Sequence, residues 1–386
     1  MGSQQDQPSG TAPLSGRGDA LLTIDLGAIA RNYRTLAAHA AGAETAAVVK
    51  ADAYGTGMAQ VAPLLADIGV RYFFVAQMSE AVALRQLLDV GKRQAEIYVF
   101  AGLLPGREKI FAEHKLTPVL NTIDEIDRWA AFGRSHGHVP AAVQIDTGMN
   151  RLGLDDPAVK TVKADPQRLE GIELTLVMSH LACADTPEHP LNKRQLERFK
   201  AYRTMLPEAK ASLANSAGIL LGADYHFDMV RPGIGLYGGN PCPAQENPVA
   251  PVVSLKAPIL QIRSVERGDA IGYGATFTAR RRSRIAILSV GYADGLLRAL
   301  GNRGSLFIQD QAVPIIGRIS MDLIAVDITD IPVDRIESAQ YVEICGQRTT
   351  LDELAQAAGT IAYELLTLLG QRYERRYVGV GDIMGQ

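Results

Sequence analysis

The sequence predicts a (β/α)8 barrel of the TIM type followed by a mainly β C-terminal domain. Eight short apolar runs alternate with amphipathic stretches between about residues 46 and 231. Nearly every residue in each run is apolar, which is typical of parallel strands covered on both faces, and eight such units favour a closed barrel over an open sheet. After residue 247 apolar and polar residues alternate between Gly, Asp and Asn turns, as in antiparallel strands.

The predicted elements follow one another along the chain with few gaps. The barrel strands are predicted at 46–50, 72–76, 96–100, 117–120, 142–146, 174–179, 212–215 and 228–231. Amphipathic helices are predicted between them, for example at 26–41, 79–90, 123–135 and 191–202. Strands of the second domain are predicted at 252–265, 284–290, 305–309, 312–318, 323–328 and 341–344, with a closing helix at 351–358.

Length and composition limit the organisation of the chain and its partners. A chain of 386 residues favours two domains. We interpret residues 1–19, rich in Gly, Ser, Gln and Pro, as a disordered lead-in, 20–246 as the barrel and 247–386 as the β-rich domain. The segment 240–251 contains four prolines and reads as a linker. A net charge of −3 gives no reason to expect nucleic acid as a partner, and no apolar run is long enough to span a membrane. Three cysteines without metal-like spacing fit a reducing compartment, so we expect a cytoplasmic location and no metal site.

Polar side chains follow five of the eight predicted barrel strands at their carboxyl ends, where barrel enzymes place their active sites. They are Lys50, Arg151, His180, Asn215 with Ser216, and Arg231. A lysine at a strand exit can place its amine in a pocket, and a desolvated amine can form a Schiff base with a carbonyl cofactor.

The same rim has phosphate-binding character. Ser216 opens a short helix, so its hydroxyl and the following N–H groups can hold an anion. Gly233 and Ile234, after Arg231 and Pro232, offer a second set of backbone donors. A bound phosphate together with the Lys50 amine suggests pyridoxal phosphate.

Eight segments, in this order, resemble the alanine racemases from about residue 21 to the end of the chain. They are VVKADAYGTG, DTGMNRLG, SHLACAD, NSAG, VRPGIGLYG, GYGATF, GRISMD and AYELL. The resemblance implies a pyridoxal-phosphate-dependent isomerase that interconverts L- and D-alanine and supplies D-alanine for peptidoglycan. It also implies a head-to-tail homodimer.

The resemblance assigns roles residue by residue. Lys50 would form the internal aldimine, Arg231 would face the pyridine nitrogen, and His180 would lie beside the ring. The remaining cofactor site would consist of Tyr54, Asn215, Ser216, Gly233, Ile234 and Tyr363, mostly around the phosphate. Arg151 would hold the substrate carboxylate, with Met321 lining the same pocket. Tyr273 would be the second catalytic base, reaching in from the other subunit.

These roles agree with what racemisation requires. One base on each face of the α-carbon removes a proton and returns it on the other side, and a positioned base typically contributes ~10²–10⁴-fold. Ionising a tyrosine of ordinary pKa at pH 7 costs about 4 kcal/mol. His180 and Arg231 are the predicted source of the field that lowers this cost.

One position departs from the family pattern. Many alanine racemases have a carbamylated lysine two residues before the Asp of DTGM, whereas this chain has Gln144. The amide can accept a hydrogen bond from Arg151 but carries no charge. Either the neutral amide suffices, or a chloride lies between the two side chains.

Three other functions remain open from the sequence. The sequence distinguishes an alanine racemase only weakly from a racemase of broader specificity, for example one for serine. A pyridoxal-phosphate decarboxylase of the same fold type has a different motif set, and a non-catalytic carrier resembles the barrel alone. The sequence also leaves a biosynthetic or a catabolic role open.

Overall fold

The computed structural model describes residues 19–40, 42–379 and 381. Apart from Asp19, the predicted lead-in at 1–19 lies outside the described residues. Among the helices that are described, none is both long enough and apolar enough to cross a membrane.

The N-terminal part of the chain forms a closed barrel. Seven parallel strands lie side by side in chain order, namely Ala47–Val48, Tyr72–Val75, Glu96–Val99, Leu116–Leu120, Val139–Gln144, Ile172–Met178 and Lys210–Ser212. The eighth strand, Met229–Val230, pairs in parallel with Glu44–Thr45, just before the first. On its other side, Arg231 N–H donates to the carbonyl of Ala214 at 2.9 Å. These bonds close the ring, and the predicted fold class is confirmed.

Helices surround the barrel because each presents an apolar stripe to the strands. They are Leu26–His39, Met58–Asp67, Met78–Val90, Glu108–Glu113, Ile123–His136, Asp156–Ala164, Pro190–Arg203 and Ser216–Leu220. Thr122 caps one of them by accepting a hydrogen bond from the Glu125 N–H at 3.2 Å. The buried Trp129 of that helix donates from its indole N–H to the carbonyl of Pro140, at 3.1 Å, and so ties the helix to the next strand.

The C-terminal domain is mainly antiparallel. Its strands are Val253–Val265, Ser283–Ser289, Ser305–Ile308, Gln311–Ile316, Leu323–Asp327 and Tyr341–Cys345, followed by helices Leu351–Ala358 and Ala362–Thr367 and the strand Glu374–Val378. A separate short hairpin, Ala270–Ile271 with Phe277–Thr278, carries Tyr273 at its tip. Alternate residues of the strands are buried, which is the period-two pattern seen in the sequence.

The first strand of the chain belongs to the sheet of this second domain. Leu21–Asp25 pairs antiparallel with Val253–Val265 and parallel with Glu374–Val378. It then leads directly into the barrel helix Leu26–His39, whose N-terminus is capped by Asp25 through a 2.8 Å bond from the Ala28 N–H. The predicted range of 20–246 for the barrel includes this strand. Its pairing with the second domain has no local signal in the sequence, because the partner strands lie more than 200 residues away.

Candidate active site

Lys50 lies at the start of a left-handed turn, and not at the end of a strand as the sequence suggested. The strand ends at Val48, and Ala51, Asp52, Ala53 and Tyr54 have φ values of 52°, 54°, 53° and 55°. A left-handed conformation costs a residue with a Cβ roughly 1–2 kcal/mol. Such strain concentrates at functional sites.

The half-buried Lys50 amine is influenced by burial and by charged neighbours of both signs. Burial, followed by the charge of Arg151, lowers the pKa of Lys50, while Glu80 opposes the shift. The amine lies 5.8 Å from the centre of the Phe100 ring. The Glu80 carboxylate also accepts the N–H of Ala51 at 2.7 Å and so anchors the start of the turn. A larger unprotonated fraction makes Lys50 a better nucleophile and base.

Arg231 places a positive charge inside the mouth of the barrel. Its side chain is 2% exposed, and its guanidinium donates to the hydroxyl of Ser212 and to the carbonyl of Ser179, the latter at 2.6 Å. Burial lowers the pKa of Arg231 to about 9, which still leaves it protonated at pH 7. Among the described residues its hydrogen-bond partners are neutral oxygens, so an anionic ligand would compensate the charge.

His180 is held next to Arg231 as a neutral imidazole. Burial, and then the charges of Arg231, Arg151 and Lys50, lower the pKa of His180 to about 3. The buried Gln195 fixes this loop, since its amide donates to the carbonyl of His180 at 2.9 Å and accepts the N–H of Ala182 at 2.9 Å. The charges of Arg231, Arg151 and Lys50 all act on His180, so the structure brings these four side chains into one region.

Ser216 and the segment after Arg231 form a cradle. The hydroxyl oxygen of Ser216 accepts the N–H of Gly233 at 2.8 Å and that of Gly235 at 3.3 Å. A hydroxyl that accepts twice still has its own hydrogen to donate. Asn215 caps the helix that begins at Ser216 by accepting the N–H of Gly218 at 2.9 Å. The predicted donor Ile234 has its side chain buried in the core, which leaves only its backbone for a ligand.

Three tyrosines lie next to the cradle formed by Ser216 and the segment after Arg231. The ring of Tyr54 stacks on Tyr237 at 4.7 Å and lies 6.0 Å from Tyr363. A Cβ on Gly233 would lie 2.3 Å from the Tyr54 hydroxyl oxygen, so glycine is what lets the tyrosine reach this point. Burial raises the pKa of Tyr54, and it raises the pKa of Tyr363 to about 12, so both side chains are neutral phenols with a hydrogen to donate to a ligand.

The side chain of Gln144 binds the backbone of the loop that carries Arg151. Its amide nitrogen donates to the carbonyl of Leu152 at 2.9 Å, and its side chain is buried. The predicted bond from Arg151 to the amide oxygen is not among the hydrogen bonds of the described residues. The glutamine therefore fixes the loop next to the arginine, whose own side chain is exposed.

Tyr273 and Met321 lie on the surface of the C-terminal domain. Their side chains are 73% and 53% exposed. The cavity at the mouth of the barrel is instead lined by other residues, among them Met149, His180, Asn215 and Tyr363. Within one chain, both of these predicted site residues are open to solvent.

The structure adds residues that sequence reasoning missed. Glu80, Phe100, Gln195, Ser212 and Tyr237 all contact the predicted site residues or their loops. Only Glu80 carries a local signal, as the third residue of a helix whose capping box begins at Gln77. The others act through the fold, which brings distant segments together.

Comparison with known proteins identifies the family. Residues 24–241 match the family model for the alanine racemase N-terminal domain, and residues 252–377 match that for the alanine racemase C-terminal domain. The chain belongs to the alanine racemase family. The predicted family, fold class and enzyme class are thereby confirmed.

Named alanine racemases match this family member over nearly its whole length. A protein of Agrobacterium fabrum named a catabolic alanine racemase is 48% identical over 93% of this chain and 92% of its own. An alanine racemase of Rhodospirillum rubrum is 46% identical over 96% of this chain and 99% of its own. The crystal structure of the Bartonella henselae alanine racemase, with covalently bound pyridoxal phosphate, is 40% identical with a TM-score of 0.89, over 94% of this chain and 100% of its own. Full-length similarity of this kind favours a racemase over a decarboxylase or a carrier that resembles the barrel alone.

Proposed function

We propose that this protein racemises alanine with pyridoxal phosphate held at the mouth of the barrel, and that Lys50 and Tyr273 are its two catalytic bases. The observation that carries the proposal is that two cationic groups lie over neighbouring aromatic rings of the barrel. The half-buried Lys50 amine lies 5.8 Å from the centre of the Phe100 ring, and the buried Arg231 guanidinium lies 6.0 Å from that of Phe74, which stacks on Phe100.

The residues present fit this cofactor. Lys50 supplies an amine of lowered pKa for its aldehyde. Ser216 has a hydroxyl hydrogen free for a phosphate oxygen, and Tyr54 reaches the same cradle over Gly233. Arg231 supplies a buried cationic donor for the pyridine nitrogen, the role that the family resemblance gives it.

The chemistry divides between cofactor and protein. Pyridoxal phosphate, when bound, acts as an electron sink that makes the α-hydrogen of an attached amino acid acidic. Lys50 takes or returns that proton on one face, and Arg151 holds the substrate carboxylate. His180 stays neutral, so the positive field that favours an ionised second base comes from Arg231. Arg231 stays protonated at neutral pH, so its positive charge persists there.

The second base comes from another copy of the chain. Tyr273 and Met321 are exposed, and Tyr292 in the same domain is 44% exposed. A head-to-tail homodimer would bring this apolar surface over the barrel of its partner and would complete two sites at once. Three free cysteines are consistent with the cytoplasmic location we propose.

The proposed physiological role is the supply of D-alanine for peptidoglycan. The catabolic name of the Agrobacterium relative makes the breakdown of D-alanine the alternative. Deleting the gene distinguishes them, since a biosynthetic role predicts a requirement for added D-alanine, whereas a catabolic role predicts poor growth on D-alanine as carbon source.

Mixed dimers test the active-site assignment. Lys50→Ala and Tyr273→Phe are each expected to be inactive, because each removes one base from both sites. After subunit exchange, half of the dimers are hybrids with one intact site, so about a quarter of the parent activity should return. No recovery in verified hybrids would refute a site shared between subunits, and the Tyr273→Phe homodimer alone is the control.

A further inference from the structure

The left-handed turn after Lys50 is held by side chains from the last strand of the C-terminal domain. The guanidinium of Arg375 donates to the carbonyl of Gly55 at 2.9 Å, and the hydroxyl of Tyr377 donates to the carbonyl of Thr56 at 3.1 Å. The two bonds join residues that are 320 and 321 positions apart.

The fit of the turn against this domain is close. A Cβ on Gly57 would lie 2.2 Å from the Tyr377 hydroxyl oxygen, and one on Gly55 would lie 2.1 Å from the carbonyl oxygen of Leu366. Both glycines also have positive φ, 102° and 76°. The turn therefore cannot shift toward the domain, and the two donors restrain it from moving away.

Arg375 also connects this turn to the phosphate side of the site. Its second nitrogen donates to the carbonyls of Leu369 at 3.3 Å and Gly370 at 3.1 Å. Those carbonyls follow the helix Ala362–Thr367, which carries Tyr363. One guanidinium thus fixes both the Lys50 turn and the segment that follows the Tyr363 helix.

We propose that Arg375 and Tyr377 are positioning residues for Lys50, which hold its strained turn so that the amine keeps the orientation that retains the cofactor. This inference rests on the proposed role of Lys50. The two residues touch neither substrate nor cofactor and act only through the backbone of residues 55 and 56.

The chain offers matched controls on the same strand and directly before it. Arg376 is the neighbouring arginine and pairs with Glu374 at 2.6 Å, away from the turn. Tyr373 is a buried tyrosine whose hydroxyl has no hydrogen-bond partner among the described residues. Arg376→Gln and Tyr373→Phe therefore remove the same chemical groups without touching the Lys50 turn.

The test measures cofactor loss from the holoenzyme on dilution, together with the visible circular dichroism of the bound cofactor. Loss of one hydrogen bond to a buried carbonyl should accelerate cofactor loss about fivefold in Tyr377→Phe and about thirtyfold in Arg375→Gln, which loses several bonds. The visible circular dichroism per bound cofactor should decrease in both. Arg375→Lys, which can still donate to Gly55, should recover part of the effect.

The controls decide whether the effect is specific. Arg376→Gln and Tyr373→Phe should stay within about twofold of the parent. The proposal is overturned if Tyr377→Phe and Arg375→Gln match their controls in both readouts, even where their melting temperatures fall. Tyr377→Phe keeps the ring, so it separates a lost bond from a misfolded domain.

Borohydride reduction separates this inference from the assignment on which it rests. Reduction fixes the pyridoxyl group on the lysine that carries it, and peptide mapping then identifies that lysine. A label on another lysine would refute the role of Lys50 itself. A label on Lys50 with unaffected variants would refute only the role of Arg375 and Tyr377.

Discussion

Substituting Gly233 by alanine should weaken cofactor binding by displacing Tyr54 from the cradle. The new Cβ would lie 2.3 Å from the hydroxyl oxygen of Tyr54 and 3.0 Å from Cζ, so the tyrosine must move. It has little room to do so, because its ring stacks at 4.7 Å on the fully buried Tyr237. Overpacking of this kind costs about 1–3 kcal/mol. If that cost falls on the cofactor-bound state, the affinity decreases by a factor of about 5 to 150.

The assay is the pyridoxal phosphate concentration that half-saturates the apoenzyme, followed by the absorbance of the bound cofactor. Gly235→Ala is the matched control, because its Cβ would meet the flexible end of Leu36 at 3.1 Å and Cγ of Pro241 at an ordinary contact distance of 3.4 Å. Combining Gly233→Ala with Tyr54→Phe removes the closest clashing atom, so the double variant should lose less affinity than the two single effects predict together. Unchanged half-saturation in Gly233→Ala would refute the reasoning, because Tyr54 would then not be confined.

The remaining predictions concern pH, the substrate loop and the strained turn. The pKa of His180 is lowered from 6.5 to about 3, so below pH 6.5 the unfolded chain binds a proton that the folded chain excludes. Stability should therefore fall as the pH falls from about 6.5 toward 3, and urea unfolding at pH 7 and pH 5 should show a smaller fall for His180→Gln. Gln144→Ala leaves the carbonyl of Leu152 without its donor and should lower kcat/KM for alanine about tenfold, mainly through KM, whereas equal kinetics would contradict a role in fixing the loop. Ala51→Gly should raise the unfolding free energy by about 1 kcal/mol, because the exposed Ala51 has φ 52°, while Ala131→Gly, at an exposed position within the helix Ile123–His136, should lower it by a similar amount. Destabilisation in both variants, measured by denaturant unfolding, would show that the turn is not strained.

Much of the barrel could be predicted because its strands carry their own signal. Residues 72–76, 96–100 and 117–120 are mostly apolar runs, and the observed strands Tyr72–Val75, Glu96–Val99 and Leu116–Leu120 agree within one residue. Burial on both faces leaves no polar alternation to confuse the pattern. The rim residues follow other barrel strands, for example His180 after residues 174–179, and their common location could be expected because the carboxyl ends of barrel strands meet at one face.

The conformation around Lys50 could not be predicted in the same way. Alanine strongly prefers negative φ, so AVVKADAYGTG reads locally as a strand followed by a loop. The turn is left-handed because Glu80, Arg375 and Tyr377 bind its backbone from distant parts of the chain. The missed strand Leu21–Asp25 has the same cause, because its partners come from the far end of the sequence.

The two polar residues beneath the site also escaped sequence analysis. Ser212 and Gln195 look like ordinary strand and helix residues, yet both are fully buried and bind Arg231 and the His180 loop. Their role depends on which site residue they bind, Arg231 for Ser212 and the His180 loop for Gln195. That information is in the packing of the barrel and not in any local pattern.

The strand Leu21–Asp25 imposes an order on synthesis. It is among the first described segments to leave the ribosome, but one neighbour, Glu374–Val378, is among the last. While the chain is being translated, this edge must remain without its final partner, and the Lys50 turn must remain without Arg375 and Tyr377. The barrel can collapse early around its own apolar strands, whereas the Lys50 turn takes its final shape only after the strand Glu374–Val378 has emerged from the ribosome.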